Sequence, residues 1–241
     1  MNKQIFVTAL ASLCLSFAAS TVQAQTIAPY GDSVTTFGAS PESSYRYWLY
    51  KYLTDAGLSC NYIGTKSGVE DGAPANSWPD EAYSGHEGWT SSDAVYAPNL
   101  NAVVGMTPDI VILDFGSNDI LNDFSLSETT GPNLKAIIQA FAAQNANVII
   151  LIAKPTPFRP DPSLSSRERS LQRRKQSKLC SIVARVAQAE HRAGVHVIAV
   201  NQFAGFNVQK DTIDGSHPNV RGEQMIARKY YTVLKRILKN W

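Results

Sequence analysis

The stretch "DIVILDFGSND", residues 109–119, joins an almost unbroken run of Ile, Val and Leu to a cluster of small polar residues. A strand with one solvated face alternates apolar and polar positions, whereas a strand apolar at every position must be covered on both faces. Asp109 to Phe115 is of the second kind and reads as a parallel strand inside a layered domain. "NVIILIA", residues 147–153, has the same character, and shorter apolar runs lie near Thr26 to Tyr30, Asn61 to Gly64 and Val195 to Val200. Five buried strands are expected.

Amphipathic segments separate them. Ser43 to Ala56 precedes Gly57, a helix-ending glycine, and Ser165 to Ala193 precedes Gly194 in the same way. Asn133 to Ala143 reads as a third helix. A last one, after Pro218, carries Ile226, Tyr230, Val233, Leu234 and Ile237 at three-and-four spacing, one apolar stripe for a sheet to cover. Strand and helix in alternation predict a single three-layer αβα domain. Two stretches stand outside the scheme. Lys66 to Gly88 reads as a long loop with Trp78 and Tyr83, and loops of that length are often functional. "KPTPFRPDPS", from Lys154, is proline-rich and leads into the basic run "RERSLQRRK", read as a solvated helix face.

The 241 residues, 44% hydrophobic and 17% charged, suit one α/β domain with an ordinary core. A formal charge of +2 gives no reason to expect nucleic acid or an anionic membrane as partner. At the N-terminus, Lys3 precedes "IFVTALASLCLSFAA", an apolar run too short to span a bilayer, and Val22-Gln23-Ala24 fits a small-x-small cleavage site. Residues 1–24 are therefore expected to be a secretory signal and residues 25–241 the domain, exported without stable membrane association. An uncleaved anchor and a lipoprotein are weaker readings, the latter because Leu13 before Cys14 is large. Removing the signal leaves Cys60 and Cys180, which either pair as a disulfide or stay as two buried thiols. A monomer is expected.

In an open parallel sheet, ligands bind beyond the carboxyl ends of the strands. Strand one ends in Gly31-Asp32-Ser33, the loop after strand two in "SGHEGWTSSD", and strand three in "FGSND". "DGSHPNVRG", residues 214–222, opens the last helix. Each polar residue alone has an ordinary explanation as a turn former or helix cap. Their arrival at one rim does not. A serine hydroxyl attacks an ester only when a base takes its proton. His217 is suited to that, and Asp214, three residues earlier, is placed to orient the ring. The oxyanion of acyl transfer needs preorganised donors, and the Ser33 and Gly88 backbone N–H groups and the Asn118 side chain supply three candidates.

These blocks resemble the SGNH hydrolases of the GDSL type. Gly31-Asp32-Ser33 matches the first block, Gly88 in "HEGWT" the second, Gly116-Ser117-Asn118-Asp119 the third and Asp214-Gly215-Ser216-His217 the fourth. The resemblance implies a flavodoxin-like five-stranded parallel sheet of order 2-1-3-4-5 and serine esterase chemistry with no cofactor or metal. One departure is Phe37, which intrudes before Gly38 and puts the loop after Ser33 in doubt. There is no Gly-x-Ser-x-Gly elbow or P-loop, and His86-Glu87 lacks the spacing of a zinc site.

Within the superfamily, "HEGWT" and "FGSND" look most like carbohydrate esterase family 3, which implies removal of acetyl groups from xylan and similar polysaccharides. Asp32, Trp78, Tyr83 and Trp89 are candidate substrate contacts, with packing the stronger reading for Trp89. A broad esterase, lysophospholipase or thioesterase is the second reading, and a non-catalytic carbohydrate-binding protein the third.

Overall fold

The computed structural model describes residues 24–37, 44–68 and 81–239. Seven strands form one sheet: β1 (Gln25–Gly31), β2 (Cys60–Tyr62), β3 (Lys66–Ser67), β4 (Ala82–Gly85), β5 (Ile110–Asp114), β6 (Ile149–Lys154) and β7 (His196–Asn201). Their order is β3-β4-β1-β5-β6-β7, with β2 also beside β1. The expected five-stranded, all-parallel sheet of order 2-1-3-4-5 is thereby corrected to a seven-stranded mixed one. The change is confined to one edge. β2 pairs with the first half of β1, through Gln25 to Ile27, while β4 takes over at Tyr30 and Gly31. β3 then runs antiparallel to β4. Both described ends of the expected Lys66-to-Gly88 loop are thus strand material, and the second end carries the Gly88 turn to the rim.

The apolar run that starts at Asp109 is the central strand. All five residues of β5 are buried, and they alternate between two cores as the pleat requires. Val111 and Leu113 face one cluster with Ile150 and Ile152, and Ile110 and Ile112 face the other with Leu151 and Ala153. The first cluster is closed by α3 (Ser91–Val95), α4 (Ala97–Val104), α6 (Gly131–Gln144) and α7 (Ser166–Arg192). The second is closed by α2 (Tyr45–Asp55) and by α9 (Val220–Leu238), which follows the short α8 (Val208–Asp211). Both faces of the sheet are therefore covered, as strands apolar on both sides demand.

Local chemistry sets the helix limits. Ser44 caps α2 through Arg46 N–H, and the helix ends at Ala56 before Gly57, whose φ is 69°. Ser165 and Glu168 form a reciprocal capping box that starts α7. In α9, Asn219 accepts from Gly222 N–H, and Ile226, Tyr230 and Leu234 are buried on one stripe. Burying side chains of that size stabilises by about 1.5–3 kcal/mol each.

Cys60 and Cys180 are free thiols, which corrects the disulfide alternative. Cys60 belongs to the cluster under α2 and α9, whereas Cys180 sits on α7 across the sheet. Among the described residues no helix is long and apolar enough to cross a membrane. The expected signal and its cleavage site lie almost wholly outside the described residues, as do Trp78 and Gly38.

Candidate active site

β1 delivers the first element of the site. Gly31 has no room for a side chain, since a Cβ there would lie 2.1 Å from Thr35 Oγ1 and 2.8 Å from the Asp114 carbonyl. The chain turns at once into α1 (Ser33–Thr36), capped by Asp32, whose carboxylate accepts from Val34 N–H at 3.0 Å. Ser33 is thus the first residue of a one-turn helix, where a backbone N–H has no partner within the helix. Asp32 is only 2% exposed, so the expectation that it touches substrate is corrected: it holds the turn from below.

Ser33 Oγ lies 3.0 Å from His217 Nε2, and His217 Nδ1 lies 2.7 Å from Asp214 Oδ2. The other Asp214 oxygen accepts from Ser216 N–H and His217 N–H, both at 2.8 Å. Burial raises the Asp214 carboxyl, but hydrogen bonds from the His217 ring and from the two backbone N–H groups outweigh it and hold it down at about 2. An ionised carboxylate only accepts, so the ring proton sits on Nδ1 and Nε2 is left to accept from the Ser33 hydroxyl. The Phe37 ring stacks on the His217 ring, 4.9 Å between centroids and 25° between planes. Phe37 N–H also donates to the Ser33 carbonyl at 2.7 Å. The residue that departs from the family pattern therefore packs the general-base candidate against the helix that carries Ser33.

Three hydrogen bonds gather the remaining segments at the same rim. His86 N–H donates to the Gly31 carbonyl at 3.0 Å, and Asp32 N–H to the Asp114 carbonyl at 3.1 Å. The Asn118 side-chain amide donates to the Trp89 carbonyl at 2.9 Å. That bond uses one amide hydrogen, leaves the other, and joins α5 (Ser117–Leu121) to the Gly88 turn. Gly88 has φ 72°, and a Cβ there would meet nothing within 4 Å. Glycine is needed there for its backbone conformation. Trp89 stacks face to face on His86 at 3.5 Å and packs against the core, a structural role. Tyr83 is 2% exposed and lies under the Arg46 guanidinium at 3.9 Å, so it offers no face to a sugar.

Two residues that hold the rim were given no role from the sequence. Asp119 is fully buried and accepts from Ser91 N–H, Ser91 Oγ and Thr130 Oγ1, tying α5 to α3 and to the π-turn Leu126–Thr130. Arg46, also fully buried, donates to the carbonyls of Thr35, Glu81 and Gly68. Asp119 had its signal in the third block, next to Asn118. Arg46 had none.

A sequence model of the GDSL-like lipase/acylhydrolase family matches residues 30–225. No curated protein sequence matches the chain. Among solved structures the chain is similar to a family 3 carbohydrate esterase of Clostridium thermocellum, with 28% identity, a TM-score of 0.73 and coverage of 90% of this chain and 98% of that one. A family 3 carbohydrate esterase from Talaromyces cellulolyticus is similar at 22% identity and TM-score 0.76, over 90% and 99% of the two chains. An acetylxylan esterase from Geobacillus stearothermophilus is similar at 16% identity and TM-score 0.56, over 86% and 93%. The last two, at their low identity, show likeness of fold. From the matched span of 196 residues, which holds Ser33, Gly88, Asn118, Asp214 and His217, the chain belongs to the GDSL-like lipase/acylhydrolase family and is an ester hydrolase.

Proposed function

We propose that the protein is an exported serine esterase that removes acetyl groups from polysaccharides such as xylan through an acyl-enzyme on Ser33. The observation that carries the reading is the hydrogen-bonded chain from Ser33 through His217 to Asp214, with contacts of 3.0 and 2.7 Å. In the first step Ser33 Oγ attacks the ester carbonyl while His217 Nε2 takes its proton. That proton then passes to the departing sugar oxygen, leaving acetyl-Ser33. Water repeats the sequence with His217 as base, releasing acetate and restoring the hydroxyl. Ser33 N–H, Gly88 N–H and the free Asn118 amide hydrogen are the donors proposed for the oxyanion, each worth about 3 kcal/mol or more.

The polysaccharide part of the reading rests on likeness to carbohydrate esterases. The chain-length profile tests it against the second reading, a broad esterase, lysophospholipase or thioesterase. Hydrolysis of p-nitrophenyl esters of two to twelve carbons falls steeply with length if acetyl is the acyl group, and acetate is released from acetylated xylan. A maximum at eight or more carbons, with no acetate from any polysaccharide, overturns the deacetylase reading. Export is supported by the N-terminal pattern: the mature protein begins at Gln25, with residues 25–241 as one domain, which N-terminal sequencing of the exported protein checks. Recovery of the exported protein with Met1 still in place contradicts it.

A further inference from the structure

The proline-rich segment after β6 does more than connect. Arg159, within it, donates from Nη2 to the Asp214 carbonyl at 2.7 Å, and its backbone N–H donates to the Gly215 carbonyl. Its side chain lies flat on Gly215, where a Cβ would come within 2.7 Å of Nε. Arg159 therefore braces the turn that carries the Asp214–His217 pair. It also lines a cavity of about 420 Å³, shared with Phe158, Arg173, Gln176, Phe203 and Gln209. The cavity thus opens directly beside the loop that holds the candidate base.

Its chemistry is one-sided. The Gln176 amide is engaged with the Phe158 backbone at 3.1 and 3.0 Å, and the rest of the lining is largely proline, phenylalanine and valine. No carboxylate lines the cavity, and among the described residues neither Arg159 nor Arg173 forms an ion pair. Arg159 and Arg173 thus both line one concave site, with no opposing charge in its lining. Arg173 stands on α7, which carries eight Lys and Arg against Glu168 and Glu190, and Glu190 is buried. The whole chain has a formal charge of only +2. Positive charge is therefore concentrated on the one long helix that flanks this cavity. The half-buried Phe203 adds an aromatic side chain to it.

We propose that this cavity is a subsite for an anionic sugar, a uronic acid residue carried by the same polysaccharide chain as the acetylated sugar. A planar guanidinium fork matches carboxylates and phosphates, of which a uronic acid supplies the carboxylate, and a ring face suits the aromatic wall. The inference rests on the deacetylase reading, because it places the subsite next to the catalytic turn. Engagement of Arg159 ties occupancy of the cavity to the turn that holds Asp214.

Calorimetric binding to the Ser33→Ala protein tests it without turnover. The probes are a xylo-oligosaccharide bearing one glucuronic acid and the same compound with its carboxyl reduced to the alcohol. The acid binds about tenfold more tightly, the worth of one charge-assisted hydrogen bond. Arg173→Gln erases the difference, whereas Arg174→Gln, one residue along α7 and not lining the cavity, keeps it within about twofold. Equal binding of acid and alcohol, or no binding of either, overturns the proposal. So does equal loss in the two variants, which identifies diffuse attraction to the helix in place of a built site. Failure of the deacetylase reading registers separately, as absence of acetate release by the wild-type protein.

Discussion

Ser33, His217 and Asp214 differ in what each has to do, and their substitution costs should differ accordingly. In the proposed mechanism His217 handles the proton in both half-reactions, whereas Asp214 fixes the ring tautomer and offsets the imidazolium charge. Asp214→Asn is expected to lower kcat by roughly two orders of magnitude less than His217→Ala, the pattern of a relay in which the orienting acid is partly dispensable. Equal and complete loss in both, with folding intact, contradicts that division. Phe37 acts through His217 by packing on its ring. An aromatic pair is worth about 0.5–1.5 kcal/mol, so Phe37→Ala should lower kcat several-fold with little change in KM, and Phe37→Tyr should restore it. A change in KM alone would assign Phe37 to the substrate. The proposed triad could be read in the sequence because Ser33 follows β1 and starts α1, and Asp214 and His217 stand in the bend just before α9. The contact of Phe37 could not, since its partner lies at the far end of the chain.

Among the elements, α5 is the clamp of the rim. Asp119 accepts three hydrogen bonds from α3 and the π-turn, and Asn118 beside it holds the Gly88 turn. Asp119→Ala leaves those buried donors unpartnered and is expected to destabilise by at least about 3 kcal/mol. Urea denaturation reads this as a lower midpoint, and kcat should fall with it because Asn118 loses its anchor. An unchanged midpoint would mean that water replaces the carboxylate without cost. The long elements were legible from sequence: α7 and α9 have caps, stripes and glycine or proline limits. β4 was not, because "AYSG" is short and carries no period-two pattern. Its pairing is made by backbone groups against Tyr30 and Gly31, and so left no trace in side-chain type. Arg46 is similar, its three carbonyl partners being brought to it only by folding.

For the molecule as a whole, the rim concentrates buried acid. Burial raises Asp32 to about 7, and burial together with the neighbouring Asp32 charge raises Asp114 well above the usual carboxylate range. A carboxyl whose folded value exceeds its unfolded value near 4 favours the folded state when protonated. The contribution of Asp32 is therefore greatest around and below pH 4, falls as pH rises through about 7, and then levels off; Asp114 acts in the same direction. Asp214 works in the opposite sense: its stabilisation is present above about pH 4 and is lost as pH falls toward 2. With its side chain 52% exposed, that contribution is small. Urea midpoints should thus decline from about pH 5 to about pH 8. Asp32→Asn, which retains an acceptor for Val34 N–H, should flatten the decline. A midpoint that rises over that range contradicts the assignment.

Every step of the proposed chemistry depends on Ser33 as the residue that receives the acyl group. Acid-quenched reaction with p-nitrophenyl acetate, followed by mass analysis of the digested protein, tests it directly. The predicted result is a single acetyl group on the peptide that contains Ser33, absent from the Ser33→Ala protein, which is folded and inactive. An acetylated residue elsewhere, or turnover retained by Ser33→Ala, would contradict the account.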